Sequence, residues 1–264
     1  MPELPDLTLF AENMHRRFGN RAVESAEYHK AKRLNVTPEE LHTALAGKTL
    51  QAVRRDGKGL VLDFGDAHID VHLMLKGELA GAARDRADAV PYRVMSLHFA
   101  DGGESFFVCD AMALTTVSLS NIAYSADSTV PDALEMTTEH LAKHAKRTAR
   151  TPIKGLLIDQ NVVRGIGNAY ADEILYVARI SPKSLSGSIP AEGITRIAEA
   201  TREVLEDAIV QLRTLRPDAT GGEYRDFLRL HNPTRTHTES GYPILKEEVA
   251  KKNTSYTEEQ EFFG

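Results

Sequence analysis

The residues with the most chemistry to offer stand at the start of the chain, in Met1-Pro2-Glu3-Leu4. Removal of Met1 exposes the secondary amine of Pro2 beside the carboxylate of Glu3. An α-amino group titrates near pH 8, so about a tenth of it is neutral and nucleophilic at pH 7 without burial. A lysine needs a large pKa shift to do the same. A secondary amine that attacks an aldehyde-like carbon, such as C1′ of a nucleoside, forms an iminium ion. That ion keeps its positive charge and draws electrons from the sugar, which promotes elimination at both neighbouring phosphates. Glu3 can act as the general acid that opens the sugar ring if its surroundings raise its pKa toward neutrality. A Met-Pro start is common, and by itself it carries no such meaning.

A second candidate lies far downstream in Gly165-Ile166-Gly167-Asn168. Glycines at 165 and 167 can take positive φ and leave room for a phosphate to approach the amides of a helix opened by Asn168-Ala169-Tyr170. Asn168 adds a neutral donor at that point. Just upstream, His140 to Ile158 contains no acidic residue but holds Lys143, Lys146, Arg147, Arg150 and Lys154. The net charge of −6 opposes nucleic-acid binding in its simplest form, so local clusters must supply any such affinity. Glu247, Glu248, Glu258, Glu259 and Glu261 gather elsewhere. A basic run is as often a solvated helix face.

The elements that must carry these residues follow from periodicity. Leu7, Phe10, Ala11, Met14 and Phe18 repeat at helical spacing after Pro5-Asp6, which predicts an amphipathic first helix behind the reactive terminus. Residues 48–120 read as strands: Ile69, Val71 and Leu73 alternate with His68, Asp70 and His72, and 94–99 and 106–108 continue the pattern between turns. From Pro131 onward helical spacing dominates through Asp132–Thr148, Ile153–Gln160, Ala169–Ala178 and Pro190–Leu215, with Ile194, Ile197, Ala198, Val204, Leu205, Ala208, Ile209 and Leu212 on one face. Gly221–Gly264 is polar and turn-rich, consistent with a small hairpin.

The fold class is therefore α+β: an N-terminal β-sandwich (1–130), a helical domain (131–220) and a hairpin appendage (221–264). The length of 264 residues and 42% hydrophobic content suffice for more than one core. No apolar run approaches the ~18 residues of a membrane span, and the start lacks a signal-peptide pattern. A soluble cytoplasmic protein with no membrane association is expected. The single cysteine, Cys109, forbids an internal disulfide and a cysteine-based zinc site.

Three segments, in order, resemble the formamidopyrimidine-DNA glycosylase/endonuclease VIII family: Met1-Pro2-Glu3-Leu4-Pro5, Arg55-Asp56-Gly57-Lys58, and Asp159 through Glu173. The third is similar to the helix-two-turn-helix that grips the DNA backbone and is the most specific of the three. The resemblance implies a bifunctional glycosylase and lyase of base excision repair, acting on oxidised bases through a Pro2 Schiff base with β- then δ-elimination. It implies DNA in a cleft between the two halves, no dissociable cofactor, a monomer, and a bacterial, nucleoid-associated enzyme. Lys58 then offsets phosphate charge and assists proton transfer beside Pro2 and Glu3. Asn168 and Lys154 contact the DNA backbone, and Glu173 is structural. His72-Leu73-Met74-Leu75-Lys76-Gly77 stands where the family places a wedge that fills the space of a rotated-out base, with Leu75 at the tip and Met74 and Lys76 beside it.

Two departures accompany the resemblance. Asp110-Ala111-Met112-Ala113-Leu114 stands where formamidopyrimidine-type members carry an arginine-phenylalanine loop, which tilts the comparison toward endonuclease VIII. In the tail, His237, Ser240, Tyr256 and Glu259 replace the two Cys-x-x-Cys pairs of the family's zinc finger. Serine and tyrosine are poor zinc ligands, so an apolar, metal-free hairpin is expected, a zincless finger. Lys251, with Lys252 beside it, takes the place of the finger's DNA-facing arginine as a point charge without the planar fork. Two rivals stay open: an inactive DNA-binding paralogue of the family, and a terminal-proline tautomerase acting on small keto acids.

Overall fold

The computed structural model describes residues 1–29 and 34–264, in two compact units. The first comprises Met1–Asp127 together with Leu212–Glu223, and the second Ser128–Gln211 together with Tyr224–Gly264. The chain thus does not run through its units in consecutive blocks, because residues 212–223 return to the first.

The first unit begins with α1 (Leu4–Phe18), whose entry is set by Pro5 in the first turn and by Asp6 Oδ2, which accepts the Glu3 backbone N–H at 2.9 Å. Gly19 closes the helix by donating to the His15 carbonyl at 2.8 Å; a Cβ there would lie 2.6 Å from the His15 ring. The expected stripe of Leu7, Phe10, Ala11, Met14 and Phe18 is wholly buried. Then follow β1 (Arg21–Tyr28), α2 (Pro38–Leu45), β2 (Thr49–Leu50), β3 (Ala52–Asp56), β4 (Gly59–Asp63), β5 (His68–His72), β6 (Glu78–Ala83), β7 (Arg93–Phe99), β8 (Glu104–Cys109) and β9 (Thr116–Ser120). They form two antiparallel sheets, β2-β1-β7-β8-β6 and β3-β4-β5-β9.

One core joins both sheets to α1, with Phe10, Met14 and Phe18 among Val23, Leu60, Leu62, Ile69, Val71, Leu97, Phe99, Phe106 and Val108. Phe18 stacks on Phe99 with ring centroids 5.6 Å apart and meets Phe106 edge-on at 5.4 Å. The β-sandwich is as the strand periodicity implies, but β7 and β8 are buried on both faces rather than on one. A 3-10 turn, Arg84–Ala89, brings Ala87 against Phe107 and Cys109, and the buried polar residues there are paired: His98 Nδ1 lies 2.8 Å from Ser105 Oγ, and His29 Nε2 lies 2.8 Å from Ser96 Oγ. The strand β1 and the short helix α2 carry no strong periodic signal, and the periodicity does not announce them.

In the second unit, α3 (Thr138–Arg147), α4 (Ile153–Ile158), α5 (Asn168–Val177) and α6 (Ala191–Leu215), whose last residues from Leu212 fall in the first unit, follow the four expected helices closely. The first starts later than expected, because Ala133–Glu135 is a separate 3-10 turn capped by Asp132. A two-stranded hairpin, β10 (Leu245–Val249) and β11 (Lys252–Tyr256), completes the unit. It is not the apolar hairpin expected from the missing cysteines. Its strands read LKEEV and KNTSY, and polar contacts hold it in place. No helix among the described residues is long and apolar enough to cross a membrane.

Candidate active site and phosphate-binding residues

In the first unit, Pro2 and Glu3 lie buried at the entry to α1, and Glu3 is 4% exposed. Met1 is exposed, and its ammonium forms an ion pair with Glu223. With Met1 in place the Pro2 nitrogen is an amide, so nucleophilic chemistry at that atom requires the trimmed chain. Lys58 is half-buried in the two-residue turn between β3 and β4, where Gly57 takes φ +54° and Asp56 pairs with Gly59. Arg55 ties that turn to α1: its Nε donates to Thr8 Oγ1 at 3.0 Å and its Nη1 to the Gly57 carbonyl at 3.3 Å. Lys58 and the chain start are thus positioned from the same helix. In the sequence Arg55 stands only as part of a motif, and no local pattern signals this role.

The candidate wedge lies in an exposed loop. Leu73 and Gly77 are buried, whereas Met74 (38%), Leu75 (50%) and Lys76 lie open to solvent. The loop closes through the Gly77 N–H donating to the Leu73 carbonyl at 2.8 Å, and a Cβ on Gly77 would sit 2.3 Å from that same oxygen. Glycine is required there for close approach.

Beside it runs the loop that lacks arginine and phenylalanine. The Asp110 carboxylate accepts the backbone N–H groups of Met112, Leu114 and Thr115 at 2.7–2.8 Å. Thr115 Oγ1 lies 3.0 Å from Asp110 Oδ2 and 3.2 Å from the Leu73 carbonyl, which joins the two loops. Burial pushes the Asp110 carboxyl up, but the Thr115 and Met112 amides and the Thr115 hydroxyl outweigh it, and the net direction is down. Met112, at the tip, is half exposed. The nearby Cys109 offers no nucleophile, since burial first and Glu78 second push its thiol up to about 11.

In the second unit, Gln160 staples the segment ahead of α5: its Nε2 donates to the Ile158 and Ile166 carbonyls at 2.9 Å, and its Oε1 accepts the Gly165 N–H at 3.0 Å. Gly165 takes φ +103°, as its composition suggests. Gly167 does not take positive φ; it is extended at φ −120° and caps α5, so its value there is the absence of a side chain at a helix N-terminus. Asn168 opens α5, and its Nδ2 donates to the Asn253 carbonyl at 2.8 Å.

Lys154 departs from the expectation of a lysine facing the DNA backbone. Its side chain has no exposed surface; Nζ lies 2.7 Å from Asp172 Oδ1, donates to Thr254 Oγ1 at 2.7 Å and reaches the Asn253 carbonyl at 3.3 Å. A buried cation is held by a buried anion, and the pair has no surface to give a phosphate. Lys143, Lys146, Arg147 and Arg150 are exposed. Lys251 and Lys252 are exposed at the hairpin turn, where Ala250 (φ +51°) and Lys251 (φ +60°) both adopt the left-handed region. Glu173 is buried and accepts the backbone N–H groups of Arg229, Leu230 and His231 at 2.7–2.9 Å. Burial pushes its carboxyl up against those three donors.

The four positions that replace the family's zinc ligands do not suit the metal. Glu259 Oε1 accepts from Ser240 Oγ at 2.8 Å and from Arg179 Nη1 at 2.9 Å, and Thr238 Oγ1 reaches Oε2 at 3.3 Å. Tyr256 donates to Glu247 Oε2 at 2.8 Å and accepts from Lys183 Nζ at 3.1 Å. His237 pairs by its backbone with Pro243. The Ser240, Tyr256 and Glu259 oxygens are thus engaged in hydrogen bonds, and among the described residues no group of three His, Cys, Asp or Glu side chains could hold a metal ion.

A sandwich led by a core-anchored N-terminal helix, joined in one chain to a helix-two-turn-helix unit with a hairpin, defines the class of fold. The models of the formamidopyrimidine-DNA glycosylase N-terminal domain and H2TH domain match residues 1–116 and 128–216. A formamidopyrimidine-DNA glycosylase of Aromatoleum aromaticum is 32% identical over 86% of this chain and 82% of its own. One of Listeria innocua is 28% identical over 97% and 98%. The Lactococcus lactis Fpg in complex with DNA containing an abasic site superposes with a TM-score of 0.83, at 23% identity, over 97% and 98% of the two chains. This chain belongs to the formamidopyrimidine-DNA glycosylase family.

Proposed function

We propose that the chain, once Met1 is removed, is a bifunctional DNA glycosylase and abasic-site lyase that excises oxidised bases from duplex DNA in the bacterial cytoplasm. The observation that carries this proposal is the burial of Pro2 and Glu3 at the entry of a helix whose whole inner stripe is locked in the sandwich core. A nucleophile so anchored is preorganised, and preorganisation supplies much of the rate of such reactions. The Pro2 nitrogen attacks C1′ and the C1′ bond to the damaged base breaks. The Glu3 carboxyl gives its proton to the ring oxygen as the sugar opens, and an iminium ion links protein and DNA. Loss of the C2′ proton expels the 3′ phosphate and loss of the C4′ proton then expels the 5′ phosphate, by β- and δ-elimination, and water adding at C1′ breaks the remaining iminium bond and frees the protein. Lys58 balances phosphate charge near the sugar, and Met74, Leu75 and Lys76 enter the stack in place of the rotated base. Gly165, Gly167, Asn168, Lys251 and Lys252 hold flanking phosphates.

Borohydride reduction in the presence of a duplex with an abasic site tests this directly. The trimmed protein is expected to give a covalent adduct, and a chain with an untrimmable residue ahead of Pro2 is expected to give none. A protein that shifts the duplex in a gel but never crosslinks would instead be the inactive DNA-binding paralogue.

A further inference from the structure

Asp172 stands four residues after Asn168, one turn along α5, and its carboxylate has no exposed surface. It touches three other segments. Oδ1 lies 2.7 Å from Lys154 Nζ on α4; Oδ2 accepts the Ser255 backbone N–H at 2.8 Å on β11 and lies 2.6 Å from His231 Nε2. The spacing has a geometric origin. A helix advances about 6 Å over four residues and a strand about 6.6 Å over two. Asn168 and Asp172 therefore meet the Asn253 carbonyl and the Ser255 N–H, two backbone groups of β11 that alternate residues turn to the same side. Between them, Lys154 takes the Thr254 hydroxyl. One edge of β11 is paired with β10, and the other is bonded to side chains of α4 and α5.

The strand bound in this way leads straight back to the turn that carries Lys251 and Lys252. Its anchor is a single buried charge cluster. Removing the carboxylate's charge strands Lys154 in the interior and leaves Ser255 with a weaker acceptor. We propose that Asp172 is a positioning residue for DNA binding: it fixes Lys154 and the outer edge of β11 together, and so sets where Lys251 and Lys252 meet the phosphates. This rests on the phosphate-contact role proposed above for those two lysines.

The test uses the trimmed full-length chain and a duplex containing a tetrahydrofuran abasic analogue, with Kd measured across salt concentrations and amide exchange followed at Ser255. In the K251A/K252A variant the slope of log Kd against log salt is expected to fall by about two. D172N is expected to lower that slope by one to two, to weaken binding at moderate salt by about tenfold or more, and to speed Ser255 exchange. In K154M/D172N the stranded cation is gone; the melting temperature is expected to return toward that of the parent while the slope stays low and Ser255 stays fast. Recovery of the slope along with the melting temperature would make Asp172 merely structural and overturn the proposal. A D172N slope equal to the parent's, with K251A/K252A behaving as expected, overturns the proposal alone. An unchanged slope in K251A/K252A overturns the phosphate-contact role beneath it.

Discussion

The two places proposed above to present groups to DNA are anchored by opposite physics. Pro2 and Glu3 ride on α1, whose inner stripe is buried among Leu, Val, Ile and Phe side chains of both sheets. Lys251 and Lys252 ride on a hairpin held by Lys154, Asn168 and Asp172 through hydrogen bonds and buried charge. Apolar contact is non-directional and roughly additive in area, so the first anchor weakens in proportion to what is removed. A polar cluster is directional, and losing one member leaves its partners unsatisfied. The proposed nucleophile is therefore held by bulk, and the hairpin cations by geometry.

The largest effect that would sharpen this contrast is Phe10→Ala. Phe10 has no exposed surface, and truncation is expected to cost about 3–5 kcal/mol of the first unit's stability, read by denaturant unfolding. Ser255 amide exchange in the second unit is expected to stay at the parent rate; acceleration there would break the comparison.

Next in size is the pH response of the loop beside the wedge. The folded pKa of Asp110 is lowered from 3.8, so the stabilisation it gives the 110–115 loop is full above about that value and lost as the pH falls through the lower folded one. Amide protection at Met112, Leu114 and Thr115 is expected to persist from pH 7 down to about pH 4 and to collapse below it. Loss already at pH 5 would contradict the assigned hydrogen bonds.

The smallest effect concerns the hairpin turn. Ala250 at φ +51° pays for a conformation that glycine adopts freely, so Ala250→Gly is expected to stabilise the hairpin by about 0.5–1 kcal/mol, measured as slower exchange of its ladder amides. A loss of protection would mean that the Ala250 methyl, rather than the backbone, sets the turn.

Much of the architecture was legible in the chain because periodicity reports burial on one face. The stripe of α1 and that of α6 both carry such a pattern, so both helices are legible. Strands β7 and β8 carry it less faithfully, since Ser96, His98 and Ser105 are polar yet buried against partners that no local pattern reveals. The candidate site divides in the same way. Pro2, Glu3, Lys58, Asn168 and the wedge stand in contiguous motifs and could be named from sequence. The buried placement of Lys154 could not, because its partners Asp172, Asn253 and Thr254 lie up to 100 residues away. Asp110 lies closer to local legibility: an aspartate side chain takes the amide two residues on in a local turn, and here it organises the loop.

The match between one helical turn and two strand residues also limits how this family member can change in length. Inserting or deleting one residue within 252–255 would turn the Ser255 amide and the Asn253 carbonyl toward the wrong side, since alternate strand positions face opposite ways. Insertions ahead of β10, between 233 and 243, leave that alignment untouched. Natural variation in tail length among close relatives is therefore expected to collect upstream of the hairpin, with the span from Lys252 to Ser255 kept constant.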